Sequence, residues 1–353
     1  MTVPILKKFK LDYTEFYITN VCNLNCTNCN RCNNYNFSGH TRWKDYVGQN
    51  QKWAELLDID KIGILGGEPM TNPDFLLWVD GIATLWPNSE IEIISNGTQL
   101  SRWPQLYELM LKYKSRMKLE VNCHNLDSKH EISCTIRDFL DVYDLTSTIV
   151  DSQILNLWNS SYQKIRGPNW PDCETLDAFY NLPIDIQNEC RDTHHFSPEI
   201  WYHEVCTLEI VDCNGVKVDL CMSDYFQNSS VIYDSERREL LLHNSDPVKA
   251  IEVCYSKKCH HIIKGKLYKC GPVGVLPDFI EQFSVSMSDT QRQLIKSYVP
   301  AEIDWPIDRL ESFVNNLRDA GPIPQCSLCP EKFTATKFKA TNKKIQLQRK
   351  KSK

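Results

Sequence analysis

Three cysteines set close together behind an apolar run are the residues of this chain best equipped for chemistry. They are Cys22, Cys26 and Cys29, spaced Cys-x3-Cys-x2-Cys after Phe16, Tyr17, Ile18 and Val21. Thiolates are soft donors that suit both iron–sulfur clusters and zinc. Three on one short loop hold three irons of a cubane 4Fe-4S cluster and leave the fourth iron open. A cluster built only for electron transfer takes four cysteines, so the open corner is a place for another ligand. The competing reading adds Cys32 to make a four-thiolate zinc knuckle, although zinc sites more often separate two ligand pairs by a dozen or more residues.

Further constellations follow. Gly66-Gly67-Glu68-Pro69 joins two residues without side chains to a carboxylate, which suits close backbone approach to a ligand and an ammonium group. Ser95-Asn96-Gly97 is a polar turn, and Asn122 and His124 follow another apolar run. Five later cysteines are Cys254, Cys259, Cys270, Cys326 and Cys329, with His260 and His261 among them. Lys264-Gly265 marks a hairpin that sets Cys259 opposite Cys270, and Cys326-x2-Cys329 is a distant ligand pair. A hairpin cysteine plus a distant pair makes a closed four-thiolate site, with Cys254 and Cys259 contending for the fourth place. Zinc and iron–sulfur both fit this group alone.

The elements that must position these residues alternate. Apolar runs at Lys61–Leu65, Ile91–Ile94 and Met117–Val121 read as strands. Helical spacing covers Trp43–Leu57, Pro73–Leu85, Trp103–Tyr113 and Asp127–Asp141. Strand and helix in alternation predict parallel strands with crossover helices, whose ligands gather at the strands' C-terminal ends. The cysteine loop, Gly66–Pro69, Ser95-Asn96 and Asn122–His124 all fall there. A fifth strand is expected over Thr146–Leu155, and Asn214-Gly215 marks a hairpin within Val205–Met222. Cys206, Cys213 and Cys221 on that hairpin read as packing residues. Helices are expected over Pro277–Phe283, Asp289–Tyr298 and Asp308–Ala320, the last packing on the Lys264 hairpin and delivering Cys326 and Cys329.

The Cys22 loop followed by Gly66-Gly67-Glu68-Pro69 resembles the radical S-adenosylmethionine (SAM) superfamily. The Cys254–Cys270 segment followed by Cys326-x2-Cys329 resembles that family's twitch domain, the one-cluster half of a SPASM domain. The resemblance implies an α/β fold, a partial (β/α)6 barrel over residues 15–225 followed by a small α+β auxiliary-cluster domain over 226–330. Residues 1–14 are an extension and 331–353 a basic tail. It implies a core 4Fe-4S cluster on Cys22, Cys26 and Cys29, and SAM held by Gly66, Gly67 and Glu68, with Ser95 and Asn96 beside them. It also implies a second, auxiliary 4Fe-4S cluster and a one-electron donor of flavodoxin or ferredoxin type. The activity implied is reductive cleavage of SAM to a 5'-deoxyadenosyl radical that abstracts hydrogen from a peptide side chain or a small sugar or alcohol. One departure stands out: Asn28 occupies the place before the third cysteine where the family usually has an aromatic residue.

Composition sets the bounds. The 353 residues, 42% apolar and 24% charged, are ordinary for a globular chain. A net charge of -5 argues against nucleic acid or a membrane surface as a general partner. Sixteen cysteines with no secretory signal in MTVPILKKFKLDY point to metal ligation in a reducing cytoplasm. The tail KFTATKFKATNKKIQLQRKKSK holds nine Lys and Arg and no acid, and reads as solvated, with an acidic redox partner or nucleic acid as its alternatives. The reading of another class is a non-catalytic zinc- or iron–sulfur-binding redox protein.

Overall fold

The computed structural model describes residues 8–141 and 205–350 apart from Thr27, 125–127, 224, 228–229, 238, 255, 333–334, 338–343, 345 and 348, and between those spans only 181–183, 185 and 186. The expected strand over Thr146–Leu155 therefore lies outside the described residues.

The first half alternates as its periodicity dictates: β1 Phe9–Tyr17, α1 Trp43–Leu56, β2 Leu57–Leu65, α2 Phe75–Leu85, β3 Glu90–Ser95, α3 Gln105–Lys112, β4 Met117–Cys123 and α4 Lys129–Asp141. After the span 142–204 come β5 Val205–Val211 and β6 Lys217–Ser223, antiparallel around the Asn214-Gly215 turn. Gly215 takes φ +83, a left-handed backbone for which glycine carries no steric cost.

Next come β7 Tyr225–Gln227, β8 Val231–Asp234, β9 Glu239–Leu242 and α5 Pro247–Glu252, followed by β10 His260–Ile263 and β11 Lys266–Tyr268. The remainder is α6 Gly271–Gln282, α7 Asp289–Ser297, α8 Ile307–Arg318 and β12 Ala335–Lys337. Helix α6 starts right after Cys270, earlier than the expected Pro277, because Pro272 suits a first helical turn and Pro277 is accommodated inside it.

Eight strands form one sheet in the order β11-β10-β1-β2-β3-β4-β6-β5, and the run β10-β1-β2-β3-β4-β6 is parallel throughout. The hairpin β10–β11 thus extends the core sheet itself, with Glu15 opposite His261 and Tyr17 opposite Ile263. One face of the sheet, with Phe16, Ile62, Ile64, Ile91, Ile93, Leu119 and Val218, is sealed by apolar residues of α1 to α4. Full burial of such a side chain contributes about 1.5–3 kcal/mol. Leu310, Val314 and Leu317 of α8 share this core with Leu11 of β1 and Leu267 of β11. A second apolar cluster joins Tyr17, Cys32, Tyr35 and Phe37 to Phe279 of α6 and to Phe283 just after it. No helix among the described residues is long and apolar enough to cross a membrane.

The basic tail corrects the expectation of a solvated segment. β12 pairs antiparallel with β7, and Leu347, Arg349 and Lys350 bond to the segment after the cysteine loop and to α6. Backbone amides, the apolar Leu347 and the Arg349 and Lys350 head groups donating to backbone carbonyls hold it, and a count of charges does not register such partners.

Candidate active site and cysteine centres

The cysteine loop leaves β1 beside the Gly66–Pro69 strand end, and the two segments are laced together. The N–H of Gly67 donates to Thr19 O (2.7 Å) and that of Glu68 to Val21 O (2.8 Å). A Cβ on Gly66 would lie 2.6 Å from Thr19 O, and one on Gly67 would strike Val21 O. The missing side chains thus admit the cysteine loop's own backbone.

Side-chain amides complete the frame. Asn72 Nδ2 donates to the carbonyls of Ile18 and Thr41, and Asn33 Nδ2 to that of Asn20. Asn28 has φ +57, a left-handed conformation that Asn tolerates better than most side chains. This gives a backbone reason for Asn where an aromatic residue is usual.

Cys22, Cys26 and Cys29 are half-buried, whereas Cys32 is 2% exposed and packed in the cluster of Tyr17, Tyr35 and Leu65. Burial, with Cys29 adding to it, pushes the Cys22 thiol up to about 12 and Cys26 further up. These thiols need an electrophile to become thiolates at neutral pH, and a metal cluster supplies one. Among the described residues, the donor trio lying within 4.8 Å of one another is Glu15, Cys259 and His261. Neither group of cysteines is so compact, whereas sulfurs around one zinc ion sit about 3.8 Å apart. The wider set of soft donors fits a cluster.

Glu68 is wholly buried. Its Oε1 accepts from Met70 N–H (3.1 Å) and Ser95 O–H (2.8 Å), and its Oε2 from Asn96 N–H (2.8 Å). Burial raises this carboxyl to about 7 despite the donors of Asn96, Ser95 and Met70. Asn96 Nδ2 reaches Asn23 Oδ1 (3.0 Å), and Asn23 Nδ2 reaches Thr98 Oγ1 (2.6 Å), tying the cysteine loop to the end of β3. Glu68, Ser95 and Asn96 therefore meet as one network beside Cys22. Asn122 donates to Glu120 within β4, and His124 stands just past that strand.

The other face of the sheet carries a row of charges that strand periodicity places together. Glu92 bridges Lys61 (2.8 Å) and Lys118 (3.0 Å), and Lys118 also reaches Asp219 (2.5 Å). Burial acts to raise Glu92, but the two lysines hold it below its ordinary value. Glu120 beside it is raised, by burial and by Glu92. The alternation in IEII and KLEVN was the available sequence signal, but which face is sealed by helices is a tertiary fact.

The second cysteine group comes from three separate segments. Cys254 follows α5, Cys270 caps α6, and Cys326 lies within the turn Pro324–Leu328, with Cys329 just after it. All four line one cavity of about 100 Å³, with Arg31, Lys257, Lys269 and Lys332 also at its wall. Burial pushes Cys270 up to about 12, opposed by the Val273 N–H at the helix N-terminus, and Cys329 is pushed up further.

Cys259 points elsewhere, into the trio with Glu15 and His261. Glu15 Oε2 lies 2.5 Å from His261 Nε2 and 2.6 Å from Arg31 Nη2. Burial would raise Glu15, but His261 and Arg31 bring it to about 2. A Cβ on Gly271 would strike Arg31, so the residue after Cys270 must be small for this bridge to close. His260 lies on the opposite face, with Nδ1 2.9 Å from Lys269 O, and burial lowers it to about 4. Cys213 is exposed at its turn, contrary to a packing role, and Cys221 is half-buried. The side chain of Cys206 is outside the described residues.

A family model described as the Radical SAM superfamily matches residues 16–154. No curated protein sequence matches the chain. Similar solved structures include Streptococcus suis SuiB bound to S-adenosylmethionine, at 18% identity over 38% of this chain and 32% of that one, with a TM-score of 0.29. SuiB bound to precursor peptide SuiA gives 18%, 38%, 31% and 0.30 in the same terms. BtrN in complex with AdoMet and 2-DOIA is 20% identical over 34% of this chain and 48% of that one, with a TM-score of 0.25. The aligned part is thus about a third of SuiB and about half of BtrN. The stretch matched by the Radical SAM superfamily model, residues 16–154, holds the cysteine loop and the Gly66-Gly67-Glu68-Pro69 strand end.

Proposed function

We propose that the chain is a radical SAM enzyme of oxidoreductase type, with Cys22, Cys26 and Cys29 as ligands of a core 4Fe-4S cluster. When bound, that cluster and SAM supply a one-electron reductive cleavage to a 5'-deoxyadenosyl radical, which takes a hydrogen atom from the substrate. The observation that carries this reading is three thiols offered from one amide-held loop while Cys32, the residue able to cap a fourth corner, is buried among apolar side chains.

The chain's own work is positional. Asn33 and Asn72 hold the loop, and Glu68 fixes Ser95 and Asn96 beside it. Gly66, Gly67, Glu68, Ser95 and Asn96 line the cosubstrate's side, with Glu68 Oε2 accepting a single bond among the described residues. The charged row of Lys61, Glu92, Lys118 and Asp219 supports a polar substrate, a peptide side chain or a small sugar or alcohol, over an apolar one.

We assign an auxiliary 4Fe-4S cluster to Cys254, Cys270, Cys326 and Cys329, within a domain spanning residues 226–330 after the core of 15–225. Four thiolates carry more negative charge than such a cluster neutralises, and Lys257, Lys269 and Lys332 answer that excess. An electron donor of flavodoxin or ferredoxin type and a reducing cytoplasm complete the reading. The alternative is a non-catalytic protein holding zinc at both cysteine groups.

Anaerobic reconstitution with iron and sulfide decides between them. The enzyme shows a core-cluster EPR signal that moves on adding SAM, and forms 5'-deoxyadenosine under dithionite. Stoichiometric zinc in protein purified without oxygen, with no sulfide taken up, sinks it.

A further inference from the structure

Arg31 belongs to both cysteine groups. Its backbone lies between Cys29 and Cys32, and with Asn30 it lines the cavity of Cys254, Cys270, Cys326 and Cys329. The guanidinium is held from two sides. On one side Nη2 donates to Glu15 Oε2 (2.6 Å), an oxygen that also lies 2.5 Å from His261 Nε2. Glu15 and His261 stand opposite each other across the β1–β10 pairing. On the other side is Gly271, the residue after Cys270 and the first of α6. A Cβ there would strike Nη1 and lie 2.8 Å from Cζ, so bare backbone backs the guanidinium.

The loop carries any shift of Arg31 to its neighbours. Cys32 N–H donates to Cys29 O (3.0 Å) and Asn33 Nδ2 to Asn20 O (2.7 Å), closing a tight turn. Cys32 takes φ +58, a left-handed backbone uncommon for a residue with a side chain. Such a conformation persists only where its surroundings hold it. The ion pair with Glu15 is nearly buried, its side chains 14% and 9% exposed. Burying two charges costs desolvation that offsets their attraction, so the pair contributes one fixed arrangement rather than stability. Glu15 also neutralises Arg31, which therefore brings shape to the cavity wall more than charge.

We propose that Arg31 is a positioning residue through which a filled second cysteine centre fixes the core cysteine loop. The inference rests on the reading of Cys254, Cys270, Cys326 and Cys329 as ligands of one metal centre. Ligation of Cys270 fixes the first turn of α6, and with it the backbone of Gly271. That wall keeps the guanidinium on Glu15, and the guanidinium keeps the turn from Cys29 to Cys32 in its left-handed form. Emptying the centre frees the wall and loosens Cys29.

The test compares full-length chains loaded with iron and sulfide: wild type, Arg31→Met, Cys326→Ala with Cys329→Ala, and all of these changes combined. One readout is amide hydrogen exchange at Cys32 and Tyr35, whose N–H groups bond to Cys29 O and Cys32 O. The other is the SAM concentration that half-saturates the shift of the core-cluster EPR signal. Emptying the second centre should speed exchange and raise that concentration, each by about five- to tenfold, the low end of coupling between sites. Arg31→Met alone should do the same, and in the combined chain emptying the centre should add less than about twofold. Glu15→Gln, which removes the anchor at constant volume, should reproduce the loss and serves where Arg31→Met does not fold.

Either readout unchanged on emptying the centre overturns the inference, as do losses that multiply in the combined chain. The exchange readout needs no SAM and applies to a zinc-filled centre as to an iron–sulfur one, so it stands apart from the functional reading. A wild-type signal that SAM does not move, or about four irons per chain where two cubes need about eight, overturns that reading instead.

Discussion

The two cysteine groups are built on opposite plans. Cys22, Cys26 and Cys29 sit on one continuous loop, framed by neutral amides and two glycines that let backbone meet backbone. Cys254, Cys270, Cys326 and Cys329 come from three segments and surround one cavity with lysines at its wall. The local set offers three thiols, because the fourth nearby one, Cys32, is committed to an apolar cluster. The assembled set has four thiols because tertiary packing selects them. The first set is held by its neighbours along the chain, and the second by the fold.

The largest contrast is expected from removing ligands. Replacing Cys22, Cys26 and Cys29 together by Ala should abolish formation of 5'-deoxyadenosine and remove about four irons per chain, since a cube is lost as a unit. Cys326→Ala with Cys329→Ala should also remove about four irons, yet leave part of the SAM cleavage intact. Iron analysis and product formation on the same samples check both, and equal loss of activity would erase the distinction drawn between the two groups. Within the second group, Cys254→Ala should cost iron while Cys259→Ala retains it, because Cys259 faces Glu15 and His261. Iron lost only from the Cys259 variant would reverse that choice.

Backbone fit should follow in size. Gly67→Ala sets a methyl group against Val21 O, so the loop must move. A loss of about 1–3 kcal/mol on denaturant unfolding of the metal-free chain is expected, as for overpacking elsewhere. An unchanged midpoint would show that the loop yields freely.

The pH slopes are at most of similar size, and they run in opposite directions. Glu15, brought to about 2, contributes stability above the unfolded carboxyl value near 4.5 that is lost as pH falls toward 2. Glu68, raised to about 7, contributes stability that is complete below about 4.5 and lost as pH rises through 7. Glu15→Gln should therefore flatten the acid limb of a stability–pH curve. Glu68→Gln should flatten the fall between about pH 4.5 and 7, a change on the order of a few kcal/mol at most. Identical curves for both variants and the wild type would remove the electrostatic part of the comparison.

The sequence alone carried the core loop and the strands around it. Spacing of Cys22, Cys26 and Cys29 is a property of neighbours in the chain, and the apolar runs ending at Leu65, Ile94 and Val121 announce parallel strands through local periodicity. The tertiary structure decided everything that required distant segments to meet. It set β10 beside β1, turned Cys259 toward Glu15 and left Cys254 with the later pair. It also brought a tail that reads as free charge back onto the cysteine loop through Asn36. Ligand spacing and strand period are encoded within a few residues, whereas the partner across a sheet edge or beneath a tail is chosen by burial and backbone hydrogen bonding over the whole fold.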